Sequence, residues 1–432
     1  MITATYDKTI DPVTGFTYPN MCDKNYLNGP NKRPSNFDDH MFRVTQKDNV
    51  YKTHVLVPYE YMQYVPLDSV TAKYFYLVNT FNVNFYDEMR EVGFSHVDNK
   101  IIEDANAGNC KIIFIQDVEG MSGLMGTHHE YEFRTIQEWC TKANLNPKAV
   151  HYICGNLISD KRAQEQGCNY HVHPVSVFET WNNVTNFPNS VTEFHPTKSN
   201  YLYLNYNRQS RFHRVCMLSK LLQHELFDKG MNSFNTMGRS FNQFSKMLED
   251  FELGLSVYGQ QLFDRAPIFV DADNSDITSS VGDLSNYKDT FMSLISETLT
   301  GPGTLFCTEK TWRSIIVGHP FMILGNTNTL KYLKSQGFRT FSNWIDESYD
   351  DCDELDKKIN IILSNLEKFS KMSIDELKII RNEMKPILIY NKLHMIKLSR
   401  NKYHYDDGNY SHKKPTEMIL QEIWNQFNKG HV

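Results

Sequence analysis

The sequence predicts an α/β protein: two Rossmann-like domains facing a cleft, with a C-terminal helical return. Three observations predict it. Strand, helix and strand patterns succeed one another between 111 and 156, the order of a βαβ unit on a parallel sheet. A second series opens at 201 with a strand and a strongly apolar helix. Two amphipathic helical patterns, 354–372 and 374–399, then close the regular part of the chain. At 432 residues the chain exceeds one ordinary core, so two domains of about 150–200 residues are expected.

Residues 1–50 are rich in Asp, Asn, Pro and Gly, with DPVTGFTYPN (11–20) and NGPNKRPSNFDD (28–39) reading as loops. HVLVPY (54–59) and KIIFIQDVEG (111–120) read as strands, the second leaving the sheet on acidic residues and a glycine. HEYEFRTIQEWCTKAN (129–144) reads as a helix with Phe133, Ile136 and Trp139 on one face, and AVHYICGN (149–156) as the next strand. Ligands of such sheets sit beyond the carboxyl ends of the strands, where Asp117, Glu119 and Asn156 fall. The polar, twice proline-broken stretch 183–199 is placed as the linker. Beyond it, YLYLNYN (201–207) reads as a strand, 215–227 as a helix, 241–258 as a helical region and APIFV (266–270) as a strand running into Asp271. A short helix at 329–338 precedes the two amphipathic helices, and 418–427 makes one more. The domains are accordingly set at 1–190 and 196–385, with a helical tail at 386–432.

Composition narrows the function little. Hydrophobic residues are 40% and charged residues 22%, as in ordinary globular proteins. A net charge of −6 gives no global field to hold a polyanion, so a nucleic-acid partner needs a local patch. The eight cysteines form no C-x-x-C pair and no disulfide framework, which points to reduced thiols and a cytoplasmic protein. The first residues lack a signal-peptide pattern and no run of eighteen apolar residues occurs, so no membrane partner is expected. Oligomeric state is left open.

Chemistry concentrates in two motifs. LNYNRQSRFHR (204–214) follows a strand and supplies Asn205, Asn207, Arg208, Arg211, His213 and Arg214. Guanidinium groups grip phosphate in bidentate fashion and stabilise a departing diphosphate. Between Tyr287 and Leu324, Glu297 ends an apolar run and Thr308-Glu309-Lys310 opens a helix that stops near Gly318. His319-Pro320 then leads into a buried strand over 321–324. A helix N-terminus with a hydroxyl, a cation and free N–H groups is a ready anion site. Thr308, Glu309, Lys310 and Arg313 share its first turn and a half, with Lys310 offered to phosphate and Glu309 to ribose hydroxyls. Glu297 is expected to face the same cleft, and Tyr287 to stack on a base or ribose.

These segments resemble the donor-sugar site of the family-10 fucosyltransferases. Those enzymes carry Phe-Glu-Asn-Ser, then Tyr-Ile-Thr-Glu-Lys at a helix start, then a Gly-x-Val-Pro turn into a strand. Ser296-Glu297-Thr298, Thr308-Glu309-Lys310 and Gly318-His319-Pro320 stand at the corresponding places. Thr298 replaces the Asn, and Glu297 and Glu309 are twelve residues apart. The family's donor-binding Arg carries onto Arg211 or Arg208. The resemblance implies a GT-B glycosyltransferase fold, a nucleotide-diphosphate sugar as donor, inversion by direct displacement and no obligatory metal. Residues 195–355 also look like glycosyltransferase-like proteins of bacteriophages, which implies as acceptor a glycan or a hydroxymethylated base of phage DNA, in the host cytoplasm.

The base that takes the acceptor's proton is expected from the first domain, as Glu119 or Asp117, with His128 and His129 as alternatives. Two rival classes remain. Asp271-Ala272-Asp273 fits a divalent metal on the donor diphosphate, as in GT-A transferases, though with Asn274, Ser275 and Asp276 around it a plain polar loop explains it better. A non-catalytic glycan- or nucleic-acid-binding protein on the same fold is the other, and it would ignore nucleotide sugars.

Overall fold

The computed structural model describes residues 2–6, 8–10, 17–19, 62–64, 72–79, 97, 99–116, 129–176, 191–196, 201–207, 209–270, 283–403 and 414–429. The chain divides into two compact units, Met1–Val177 with Ser411–Val432, and Phe178–Tyr410.

The first unit carries β1 (Ile2–Tyr6), β2 (Lys8–Ile10), β3 (Thr17–Pro19), β4 (Met62–Tyr64), β5 (Tyr74–Asn79), β6 (Cys110–Gln116), β7 (Val150–Cys154) and β8 (His171–Pro174). Six of these form one parallel sheet in the order β4-β1-β5-β6-β7-β8, and β2 pairs antiparallel with β3. β7 is buried at every residue and β6 at all but Lys111, as expected of parallel strands covered on both faces. Helices α1 (Asn99–Asn106), α2 (His129–Lys142) and α3 (Ser159–Glu165) intervene. α2 joins β6 to β7 as the βαβ pattern predicts. It packs Phe133 and Trp139 edge-on against Tyr152 and Phe114.

The second unit runs β9 (Tyr201–Tyr206), α4 (Phe212–Gln223), β10 (Gly230–Ser233), α5 (Asn242–Phe251), α6 (Leu255–Arg265), α7 (Leu284–Asp289) and β11 (Thr290–Gly301). It continues with α8 (Glu309–Val317), β12 (Phe321–Asn326), α9 (Thr329–Ser335), α10 (Leu355–Ser370) and α11 (Ile374–Tyr403). Its sheet is parallel, in the order β10-β9-β11-β12. The chain leaves β9 toward one edge and later builds β11 and β12 toward the other. The order therefore reverses between β9 and β11, and ligands of open α/β sheets bind beyond the carboxyl ends at such a point. Gly318, at φ 75°, ends α8 in the left-handed conformation and lets the chain turn directly into β12. Gly230 has no side chain because a Cβ there would lie 2.2 Å from the Tyr203 ring.

Local readings shifted at several places. The stretch 183–199, expected as a linker, has its described part, 191–196, seated in the second unit. Val191 and Phe194 are buried, and the Val191 N–H donates to the Val317 carbonyl at 2.7 Å. Buried Arg381 donates to the carbonyls of Val191, Thr192 and Phe291. The region 241–258 is two helices, because Gly254 at φ 82° interrupts it. APIFV gives no strand: Ile268 makes one isolated bridge to Phe234. α11 continues unbroken through residue 386, and the last helix, α12 (Lys414–Asn428), returns to the first unit. There Trp424 and Phe427 pack on Phe75, and Lys73 donates to the Phe427 carbonyl at 2.7 Å. The strand expected at 54–59 lies outside the described residues. Among the described residues no helix is long and apolar enough to cross a membrane, and the cysteines are free thiols.

Candidate functional site

Glu297 lies near the carboxyl end of β11 and is fully buried. Its Oε1 accepts from the Thr308 N–H at 3.0 Å and the Thr311 hydroxyl at 2.7 Å. Its Oε2 accepts from the Thr298 N–H at 3.0 Å and the Thr308 hydroxyl at 2.6 Å. Four donors on two oxygens are the full complement of a buried carboxylate. They pin the start of α8, whose N-cap is Thr308. The backbone carbonyl of the same residue accepts from His213 Nε2 at 2.9 Å and from the Arg214 guanidinium at 3.0 Å, and Arg211 donates to the Thr298 carbonyl at 2.7 Å. Glu297 thus joins the N-termini of α4 and α8 at the reversal point. The N-cap residue of α4, Arg211, makes no side-chain capping bond.

Four cationic side chains surround this junction. Lys310 Nζ sits 2.7 Å from Glu309 Oε1, 3.0 Å from Thr308 Oγ1 and 3.3 Å from Thr298 Oγ1. Arg313 is buried, with its guanidinium 5.9 Å from the centre of the Tyr206 ring. Burial opposes ionisation of Glu309, but Lys310 and Arg313 outweigh it and hold the carboxyl down at about 2. Burial, then the Arg214 charge, pushes His213 down to about 3, so its imidazole is neutral and serves as a donor. Burial and neighbouring Arg211 lower Arg214 to about 9, which leaves it charged at neutral pH.

The structure therefore brings together Arg211, Arg214, Glu297, Thr308, Glu309, Lys310 and Arg313, at one end of one sheet. Asn205 lies on adjacent β9, buried, with neither side-chain amide atom hydrogen-bonded among the described residues. Two expected roles change. Glu297, expected to face the cleft, turns to its own chain and accepts from the hydroxyls of Thr308 and Thr311. Tyr287 is in the core, its ring edge-to-face with Tyr206 and His319 at 6.2 and 5.2 Å, so it packs rather than lines an opening. Arg208, Asp117, Glu119, His128, Asp271 and Asp273 lie outside the described residues, and His129 opens α2. Among the described residues no group of three His, Cys, Asp or Glu side chains is placed to hold a metal ion.

Sequence reasoning missed Thr311, and it left His213 without a role. The spacing Thr308–Thr311 is the available signal, since residues three apart share a helix face. For His213 no local pattern reveals a partner more than eighty residues away.

No protein-family model matches the chain, and no curated protein matches it. Among solved structures it is similar to T4 phage BGT in complex with UDP and Mn2+, at 14% identity and TM-score 0.37, covering 99% of each chain. It is also similar to the catalytic domain of Starch Synthase IV from Arabidopsis thaliana bound to ADP and acarbose, at 10% identity and TM-score 0.38, over 84% of this chain and 74% of that one. A third likeness is to an alpha1,3-fucosyltransferase, at 9% identity and TM-score 0.33, over 100% of this chain and 91% of that one. The TM-scores are all below one half, and the functional reading rests on the groups of the site itself.

Proposed function

We propose that the chain is a glycosyltransferase that moves a sugar from a nucleotide-diphosphate donor to a hydroxyl acceptor, with the donor held by residues 196–385. The observation that supports this is the junction at Glu297. Two helix N-termini meet there, and Arg211, Arg214, Lys310 and Arg313 stand against only Glu297 and Glu309, an excess of two positive charges. Each helix start adds about half a positive charge. Such a site matches a diphosphate, and it stabilises the charge that collects on the diphosphate as the glycosidic bond breaks.

Glu119, with Asp117 beside it, is proposed as the base that deprotonates the acceptor. The acceptor proposed is a glycan or a hydroxymethylated base of phage DNA, and the reaction an inverting displacement without an obligatory metal, in the cytoplasm. Calorimetry of the full chain against UDP, GDP, CDP and dTDP tests the donor site. Lys310→Ala and Arg211→Ala should each weaken binding of the preferred diphosphate roughly tenfold or more, as expected for loss of a charge-assisted hydrogen bond. Unchanged affinity in both variants, with near-UV circular dichroism intact, overturns the site. Retention at the anomeric carbon, seen by NMR of the product, overturns the inverting mechanism.

A further inference from the structure

One face of the second unit's sheet carries polar side-chain atoms that find no partner among the described residues. In the parallel register Asn232 on β10 lies beside Asn205 on β9. The pairing of Ser293 with Leu204, carried three residues on, sets Ser296 of β11 beside Asn207. Side chains alternate along a strand and register partners share a face, so Asn232, Asn205, Asn207 and Ser296 project to the same side. All four are buried, at 4%, 0%, 0% and 1% exposure. Among the described residues, both amide atoms of Asn205 and of Asn207, the Asn232 Oδ1 and the Ser296 hydroxyl have no hydrogen-bond partner.

Buried polar atoms almost always have partners, and a group of orphans needs an explanation. Six lie together here, at the carboxyl ends of three adjacent strands, next to the reversal point. Among the described residues Asn232 is the one member of the row whose side chain makes bonds, since its Nδ2 donates to the Phe227 carbonyl at 2.7 Å and to the Tyr203 hydroxyl at 3.2 Å. Their chemistry differs from that of the Glu297 junction: amides and a hydroxyl carry no net charge, and they both donate and accept. That is the complement of a ring bearing several hydroxyls, which also donates and accepts. Phosphate, by contrast, calls for cations and N–H groups. Glu297 projects to the other face of the strand, so the two chemistries flank the same sheet edge from opposite sides.

We propose that Asn205, Asn207, Asn232 and Ser296 form the subsite for the uncharged, hydroxyl-bearing part of the donor, its ribose or its transferred sugar. The proposal rests on the donor-binding function given above and assigns its specificity to residues separate from the cations that hold the diphosphate.

The test compares inorganic pyrophosphate with UDP, GDP, CDP, dTDP, UDP-glucose and GDP-mannose, titrated calorimetrically into the full chain and into Asn207→Ala and Ser296→Ala. The wild-type chain should bind at least one nucleotide or nucleotide sugar about tenfold or more tightly than pyrophosphate. Each variant should lose about tenfold of that preference, the equivalent of one hydrogen bond, and bind pyrophosphate within about twofold of wild type. In the ligand-free protein both variants should melt no lower than wild type, because an unsatisfied buried group has been removed. If the wild-type chain binds pyrophosphate as tightly as every nucleotide tried, the subsite is wrong and the cationic site stands. Variants that melt higher yet keep the full preference would show that the row holds water only, which also overturns the proposal. A wild-type chain that binds neither pyrophosphate nor any nucleotide removes both readings together.

Discussion

Changing Glu297 to Gln tests the junction with almost no change of shape. Each carboxylate oxygen accepts one backbone N–H and one hydroxyl: Thr308 N–H and Thr311 on Oε1, Thr298 N–H and Thr308 on Oε2. A glutamine turns one oxygen into an NH2 group. The hydroxyl facing it can rotate and accept, but the backbone N–H cannot. Whichever way the amide lies, one buried N–H loses its acceptor, at a cost of about 1–3 kcal/mol. The remaining bonds also lose their charge assistance, which roughly doubles such bonds. The sum is about 3 kcal/mol, and for a unit of roughly 200 residues each kcal/mol moves the melting temperature by about 2–4 °C, so a fall of about 6–12 °C follows. Calorimetry of the second unit's transition gives the shift, and hydrogen exchange at the Thr298 and Thr308 amides locates it. A fall under about 2 °C, with both amides still protected, refutes the carboxylate as the fastening of α8.

Three further outcomes are expected. The Glu309 carboxyl is held at about 2 against an ordinary 4.5, so its contribution is complete above 4.5 and disappears as pH falls from there toward 2; urea midpoints at pH 6 and pH 3 should therefore draw together in Glu309→Gln. On β7 and β8 the rings of His151, His171 and His173 lie within 6.5 Å of one another, with Lys111 and Lys148 the charges felt there. Burial and then His171 hold His173 at about 4, below its ordinary 6.5. The unfolded chain then takes up the proton first, stability falls as pH drops from 6.5 toward 4, and His173→Asn should flatten that slope in pH-dependent urea melts. Arg381→Met should leave the carbonyls of Val191, Thr192 and Phe291 without their donor and cost about 2–4 kcal/mol by urea denaturation, the relief of a buried charge offsetting part of the loss.

What could be read from the chain divides along physical lines. α8 was legible from Thr308 to Gly318 because its start, its amphipathic middle and its left-handed stop are written in consecutive residues. The unit from β6 through α2 to β7 was legible for the same reason. Partnerships across long separations were not. Nothing near Val191 announces Arg381, and nothing in the tail announces that Trp424 will meet Phe75. Glu297 shows why position alone misleads: an acid that ends an apolar run looks the same whether its partners are a ligand or Thr308 and Thr311. The unsatisfied row beside it depends on register between three strands separated by long insertions, which composition does not encode.

The junction at Glu297 also has a mechanical consequence for the proposed donor site. α4 is tied to β11 through the Glu297 carbonyl, by His213 and Arg214, while α8 is tied to the same residue through its carboxylate, by Thr308 and Thr311. Neither helix start can shift without straining bonds that hold the other. Lys310 reaches Thr298, and Arg211 reaches the Thr298 carbonyl, so a second residue of the same strand repeats the link. An anion drawn to the first turn of α4 thus acts on a frame already fixed to α8. Preorganised charge of this kind avoids reorganisation cost when negative charge develops on a leaving group, which is where such a site contributes most. It follows that loosening one tie should weaken binding at both helices: Thr311→Val, which removes a single hydroxyl from α8, should reduce diphosphate affinity even though Thr311 faces Glu297 and not the ligand.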